Sequence, residues 1–322
     1  MKKMIKLMLL VMVMLGTLVA CSSKKDNGKY TIAIVQPVEH PSLNTIRESI
    51  VNALNEKGIS DNIEIIYKNA GGDASILPTI MQSLVNDNVD MIVPIATGTA
   101  QSALATTTSI PIVFSAVSDP ILAGLVTDLN ATTGNITGVS DAIAIEEIFK
   151  LALELTPNVK TFGFIYNSSE INSIAGIERA KAFCDANGLL YKEATITSTG
   201  DLQQAAQSLV DSVDAFFTPI DNTVASAMPT YIEVANKAKL PVYVSADSMV
   251  ADGGLATVGI DYTILGKQTA ELIYRIQQGE NISDNPVEVV SEYAKMINKN
   301  TANALGIELT DSLLETYVVI GE

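Results

Sequence analysis

The sequence predicts an α/β protein made of two doubly wound, parallel-sheet lobes with a ligand cleft between them. Three observations lead there. Apolar, β-branched runs alternate with stretches whose apolar residues recur at helical spacing, the pattern of βαβ units and a parallel sheet. The alternation pauses at a loose segment, Thr127–Asp141, rich in Thr, Asn and Gly, and then begins again. Most strand-like runs also end in a polar turn just ahead of a helix. Right-handed crossovers put such ends along one edge of each sheet, where ligands of open α/β sheets bind.

Tyr30–Val35 is a β-branched run closed by Gln36-Pro37. Ser42 is expected to cap a helix with Leu43, Ile46, Ile50 and Leu54 on one face, and Gly58 stops it. Ile63–Tyr67 reads as a strand ending in Asn69-Ala70-Gly71-Gly72-Asp73. A helix carrying Ile76, Ile80 and Leu84 follows, with Pro78 tolerable only near its start. Val89–Ile95 runs into the turn Ala96-Thr97-Gly98-Thr99, and Ala100–Thr107 leads out as helix. Pro111–Phe114 ends in Ser115-Ala116-Val117-Ser118-Asp119-Pro120.

Beyond Thr127–Asp141, which reads as a crossing between lobes, Thr161–Tyr166 ends at Asn167-Ser168-Ser169-Glu170. A helix with Ile174, Ile177 and Ala180 comes next, then a strand, Leu189–Ile196, and a helix from Asp201 to Val210. Val213–Thr218 ends in Pro219-Ile220-Asp221-Asn222-Thr223, ahead of a helix from Val224 to Lys237. Pro241–Val244 ends in Ser245-Ala246-Asp247, and Leu255–Gly259 leads through Asp261-Tyr262 into a long helix, Ile264–Gln278. Asn281–Pro286 is a second crossing, Val287–Val290 a last strand, and Asn300–Leu314 two short helices. The lobes are expected to comprise residues 30–138 with about 262–286, and 139–261 with about 287–322. Facing strand ends form a cleft that closes by hinge bending.

The chain is acidic, with a formal net charge of −16, and 48% apolar, which excludes a disordered chain and a nucleic-acid binder. Met1-Lys2-Lys3 and Lys6 precede an apolar run, Leu7–Leu15, and small residues then lead to Cys21. That is the layout of a secretory signal over residues 1–20. Leu18-Val19-Ala20-Cys21 matches the lipobox of bacterial lipoproteins, whose chemistry places diacylglycerol, and acyl chains such as palmitate, on the cysteine. Residues 21–29 then form a lipidated, flexible tether. Cys184 is left without a partner and is expected to be a buried apolar residue.

Enzyme chemistry finds little support in these residues. The single histidine, His40, lies beside Pro41 and is expected to be structural. With one His and two Cys a metal site lacks ligands, and no Gly-x-Ser-x-Gly, P-loop or Gly-x-Gly-x-x-Gly stands at a strand-to-helix turn. No catalytic residue, metal or cofactor is expected. The binding set lies in the turns: Gln36, Asp73, Thr97, Gly98, Thr99, Ser118, Asp119, Asn167, Ser168, Glu170, Asp221, Asn222 and Asp247. Arginine is missing from it, since Arg47, Arg179 and Arg275 all fall inside helical stretches. An anion here must be held by hydroxyls and backbone N–H groups, which suits one carboxylate. The acids suit an ammonium group. A ligand with both is an amino acid.

The chain from Tyr30 onward resembles the substrate-binding lipoproteins of ABC transporters in the tryptophan/tyrosine-binding group. The resemblance rests on Ile34-Val35-Gln36-Pro37-Val38-Glu39-His40-Pro41, Ile112-Val113-Phe114 through Ser118-Asp119-Pro120, Ile136-Thr137-Gly138-Val139-Ser140, Tyr166-Asn167-Ser168-Ser169-Glu170 and Pro219–Ser226. It implies a type I periplasmic-binding fold with three crossings. It also implies capture of an aromatic or other hydrophobic amino acid for a permease with a cytoplasmic ATPase. Carried over, Thr97 to Thr99 hold the carboxylate, while Asp221, Asn222 and Asp247 are the candidate partners of the ammonium. Gln36, Ser118 and Asn167 orient the ligand, and Tyr166, Tyr262 or Phe114 could wall its side chain. The protein is expected to be a monomer, anchored through Cys21 on the extracytoplasmic face of the cell membrane. A ligand-sensing partner of a membrane kinase or chemoreceptor is the alternative. A repressor would carry a basic helix-turn-helix where this chain has its signal-like segment.

Overall fold

The computed structural model describes residues 28–290 and 292–321; the signal-like segment and Cys21 lie outside them. Two sheets carry the fold. The first contains β1 (Tyr30–Gln36), β2 (Ile63–Asn69), β3 (Met91–Pro94), β4 (Ile112–Ser115), β5 (Ile136–Ser140) and the late strand β11 (Glu288–Val289), in the order β11-β5-β4-β3-β1-β2. Every neighbouring pair in it is parallel.

Strand alternation sorts its core. Ile32 and Ile34 of β1 pack with Leu43, Ile46 and Ile50 of α1 (Pro41–Glu56). Ala33 and Val35 point the other way, onto Leu77, Met81 and Leu84 of α2 (Leu77–Asn86) and Ala100 and Ala103 of α3 (Thr97–Thr106). The long helix α10 (Tyr262–Gln277) returns from the second lobe to lie on α1, β4 and β5. Gly266 permits that approach, since a Cβ there would stand 2.6 Å from Ser49 Cβ and 2.8 Å from the Ile46 carbonyl oxygen.

The second sheet orders β13 (Val318–Ile320), β12 (Tyr293–Asn298), β10 (Ala256–Ile260), β9 (Val242–Val244), β8 (Ala215–Thr218), β6 (Thr161–Asn167) and β7 (Leu190–Ile196). It is parallel except where β12 runs against β10. Around it lie α4 (Ile145–Leu155), α5 (Ile171–Asn187), α6 (Leu202–Leu209), α7 (Asn222–Ala225), α8 (Met228–Ala238) and α9 (Asp247–Ala251), with α11 (Lys299–Leu305) and α12 (Asp311–Thr316) in the tail. Phe149 of α4 anchors its core, its ring centroid 4.8 Å from those of both Phe162 and Phe217. Cys184 is free and buried.

Several details differ from the sequence reading. Thr127–Asp141 contains β5, a full member of the first sheet. Its strand character was hidden by Thr137 and Gly138, and the glycine is required because a Cβ would meet the Phe114 carbonyl oxygen at 2.2 Å. The expected boundary at 138/139 thus falls inside β5, and that at 286/287 falls before β11; the sheets change over after Ser140 and after Val289. Helix α4 was unanticipated, although Ile145, Ile148, Phe149, Ala152 and Leu155 are all buried. His40, with Pro41 following at the first helical position, begins α1 in place of Ser42. The helix expected over Val224–Lys237 is two, α7 and α8, the second restarting with Pro229 in its first turn. The tail adds β12 and β13 to the two helices.

Candidate functional site

The C-terminal ends of both sheets face each other, and the lobes touch where α1 meets α9 and where α3 meets α5. On the first lobe, β3 leads through Ile95 to Ala96, which adopts φ +75° and ψ 156°, a region nearly reserved for glycine. Ala116, after β4, also has a positive φ of +57°. The strained turn at Ala96 starts α3 with no side-chain cap, and the first intrahelical bond runs from Ala100 N to Ala96 O. The N–H groups of Thr97, Gly98 and Thr99 therefore stand at the helix start without an intrahelical acceptor. Thr99 Oγ1 is buried without a partner, while Gly98 is exposed, with no atom within 4 Å of the place a Cβ would take.

Asp141 follows β5 directly and is fully buried. Neither carboxylate oxygen has a hydrogen-bond partner of good geometry. Burial pushes its carboxyl up to about 6, against the pull of the Ser118 and Tyr262 hydroxyls beside it. Burial of Tyr262, at the start of α10, holds its phenol protonated, and the charges of Asp141 and Asp247 add to the effect. Asp247 has one oxygen on Ser248 N at 2.7 Å, and burial pushes it up to about 6, with Asp261 adding to the shift. Gln36 donates to Asn44 Oδ1 at 3.1 Å and leaves its buried Oε1 unpaired.

The second lobe presents a bonded network. Glu170 accepts from Asn222 N and Nδ2 at 3.0 and 2.8 Å, and from Thr223 N and Oγ1 at 3.0 and 2.8 Å. Asp221 accepts from Asn167 N at 2.6 Å and from Val224 N at 2.8 Å. Burial and the neighbouring Glu170 charge raise its pKa while these N–H bonds lower it. Asn167 donates to Thr223 Oγ1 and accepts from Ser169 N, both at 2.8 Å.

Between the rims lies a narrow void, bounded by Thr97, Ser118, Asp141 and Tyr262 from one side and Asn172, Ile220 and Asn222 from the other. A cavity of about 70 Å³ shares Ser118, Asn172 and Ile220 with it and extends past Ile143, Ile145 and Pro219 to Arg179. Of the residues expected at the site, Thr97, Ser118 and Asn222 border the void, and Asp119 borders the cavity while capping Ile121 and Leu122. Asn167, Asp221 and Glu170 are engaged within the second lobe, Asp73 caps a turn at Ser75, and Ser168 is exposed.

Two of the three expected aromatic walls are absent from this lining. Phe114 is core, and Tyr166 donates to Glu193 at the outer strand β7; Tyr262 alone of the three borders the void. Asp141 and Asn172 went unmarked in the sequence. The rule that found the other turns would have found Asp141 had Ile136–Ser140 been read as a strand. Arg179 lies mid-helix as expected, yet its guanidinium reaches the cavity, held by the Ile143 carbonyl at 2.7 Å and by Glu146. Chemically the site offers the helix start at Thr97 and the buried Asp141 carboxylate on one void, next to a largely apolar chamber. Among the described residues no cluster of His, Cys, Asp and Glu has the makings of a metal site.

Residues 31–318 match the model of a family described as ABC transporter substrate binding protein. A tyrosine-binding protein of Clostridioides difficile (strain R20291) is 37% identical over 290 residues, covering 89% of this chain and 84% of its own. The ABC domain from Streptococcus pneumonia, solved in complex with L-Trp, is 39% identical and superposes with a TM-score of 0.88 over 91% of this chain and all of its own. The ligand-free, open structure of a Clostridium difficile substrate-binding protein with adhesive properties is 35% identical and gives 0.69 over 90% and 99%. The chain is therefore a member of the ABC transporter substrate-binding protein family.

Proposed function

We propose that this protein captures an aromatic or other hydrophobic amino acid in its interlobe cleft and hands it, unreacted, to a permease driven by a cytoplasmic ATPase. One observation carries the reading: Asp141, buried with only the Ser118 and Tyr262 hydroxyls beside its carboxylate, and the uncapped start of α3 at Thr97 open on the same void. A carboxylate seats on the N–H groups of Thr97, Gly98 and Thr99. The ammonium pairs with Asp141, with Asp247 close by around Tyr262. Gln36, Ser118 and Asn222 orient the head group, while Asn167 and Asp221 stiffen the opposite wall. The side chain extends into the cavity among Ile143, Ile145, Pro219 and Ile220, towards Asn172 and Arg179.

The binding of tyrosine and of L-Trp by relatives supports this cargo class. The two structural matches of similar identity differ in TM-score, 0.88 for the L-Trp complex and 0.69 for the open form, which fits lobes already touching at α1–α9 and α3–α5. Leu18–Cys21 supports a lipid anchor outside the cytoplasmic membrane, and the protein acts as a monomer beside its permease.

Calorimetry with the twenty amino acids tests the cargo. Tyr, Trp or Phe should bind with a Kd of about 1 μM or below, about −8 kcal/mol; no binding by any of the twenty would refute the reading. The chain has no tryptophan, so bound L-Trp reports by its own fluorescence. Ligand recovered unchanged supports carriage over catalysis. Replacing Cys21 by alanine should release the protein from the membrane fraction, and unchanged association would refute the anchor.

A further inference from the structure

The first turn of α1 touches the second lobe through two side chains. His40 Nε2 lies 3.3 Å from Asn222 Oδ1, at the start of α7. Ser42 Oγ is hydrogen-bonded to Ser248 Oγ, in the first turn of α9. These pairs join residues 182 and 206 positions apart in sequence, and each bridges the two lobes. Neither His40, Ser42 nor Ser248 borders the void or its side cavity. Both pairs can form only when the lobes are shut.

We propose that His40 and Ser42 form a latch that holds the lobes closed through Asn222 and Ser248, adding to ligand affinity without touching the ligand. The latch rests on the cleft being the amino-acid site proposed above. It also explains why Ser42 is not the helix cap. Pro41 fixes the first turn of α1, and the serine hydroxyl is left free to cross the gap.

The histidine makes the latch sensitive to acid. His40 is 6% exposed, and its Nδ1 has no partner. An imidazolium there would bury a second N–H donor with nothing to accept it. Asn222 and the Glu170 charge favour the protonated ring, but burial outweighs both and lowers its pKa to about 4. On the elements around it, Asp221 caps α7, Asp247 starts α9, and Glu39 and Arg47, an ion pair, lie on its own segment. In open lobes the ring returns to an ordinary value of about 6.5. The folded, closed value is the lower one, so neutral histidine favours closure. That contribution is complete above about pH 6.5 and is lost as pH falls towards 4.

The test uses the full-length protein with L-Trp and L-Tyr as probes. His40→Ala should weaken both by the same factor, about three- to tenfold, the worth of one hydrogen bond. Ser42→Ala with Ser248→Ala should do likewise. His40→Gln, which keeps a donor but cannot titrate, should restore most of the affinity at pH 7. The ratio of wild-type to His40→Gln Kd should rise on the order of tenfold between pH 7 and pH 5. Asp141 and Asp247 titrate in both proteins and cancel from that ratio. A loss that differs strongly between the two ligands would make His40 a ligand contact and overturn the latch, as would a ratio flat with pH. Should the wild-type protein bind neither amino acid, the proposed cargo fails. The latch is then judged by small-angle scattering of ligand-free protein, where His40→Ala/Ser248→Ala must give the larger radius of gyration. An equal radius would overturn it.

Discussion

On the first lobe the strand-end groups at Thr97, Ser118 and Asp141 open on the void with few partners, whereas on the second Glu170, Asp221 and Asn222 bond to one another and to the backbone. Both rims use the same residue types after the same kind of strand. What differs is where their bonding capacity goes. The second rim meets its own needs and acts as a stiff wall. The first carries buried groups whose needs a ligand could meet, so it loses stability when empty and gains affinity when filled. Substitutions on the two rims should therefore separate, one set acting on binding and the other on folding.

Asp141→Asn should give the largest effect. Removing one member of a buried ion pair costs about 3 kcal/mol or more, so affinity for L-Trp should fall at least about 100-fold by calorimetry. Ligand-free stability should move the other way. Folding raises the pKa of Asp141 from 3.8 to about 6, so its charged form is penalised in the folded state. That penalty is absent below pH 3.8 and grows to full size as pH rises through 6. At pH 7 the asparagine variant should melt above the wild type without ligand, and the difference should vanish near pH 4. A variant that loses stability as well as affinity would show that Asp141 is structural.

Asp221→Ala is the converse probe. It orphans the N–H groups of Asn167 and Val224 at once, which should cost about 2 kcal/mol and lower the melting point by about 4–8 °C. Affinity of the surviving folded protein should stay within about threefold of wild type. A large loss of binding with an unchanged melting point would return Asp221 to the ammonium site. Replacing Thr97 and Thr99 together by alanine comes next, weakening binding by about 1–3 kcal/mol if their hydroxyls meet the carboxylate. Unaltered affinity would mean that the turn only begins its helix.

The same contrast marks what the sequence could reveal. The alternation of strands and helices was legible because each β-branched run and each apolar helical face is local. Thr97, Ser118 and Asn222 were found by one rule, polar residues after a strand, and they border the void. The rule could not tell a group facing the cleft from one engaged at home. Asp221 and Asn167 satisfied it equally, and only the bonds between the end of β6 and the start of α7 separate them. Asp141 escaped because Gly138 and Thr137 disguise β5, and the reason for that glycine is Phe114, on the neighbouring strand. Two of the three lobe crossings were misplaced on the same account, since β5 and β11 are too short and too polar to announce the sheet they join.

The smallest expected effect tests whether the strain of the first rim serves binding. Ala96 holds a conformation in which a Cβ is unfavourable, at a cost of about 1–3 kcal/mol. Glycine relieves it but adds entropy to the unfolded chain, about 0.4–1 kcal/mol. Ala96→Gly should thus stabilise the ligand-free protein by about 1 kcal/mol, seen as a small rise in melting temperature. If the alanine merely tolerates its position, affinity will be unchanged. If its strain confines the turn so that the N–H groups of Thr97, Gly98 and Thr99 keep one direction, the glycine variant must order that turn on binding. Affinity then falls by about twofold to fivefold while stability rises, the same opposition that Asp141 shows on a larger scale.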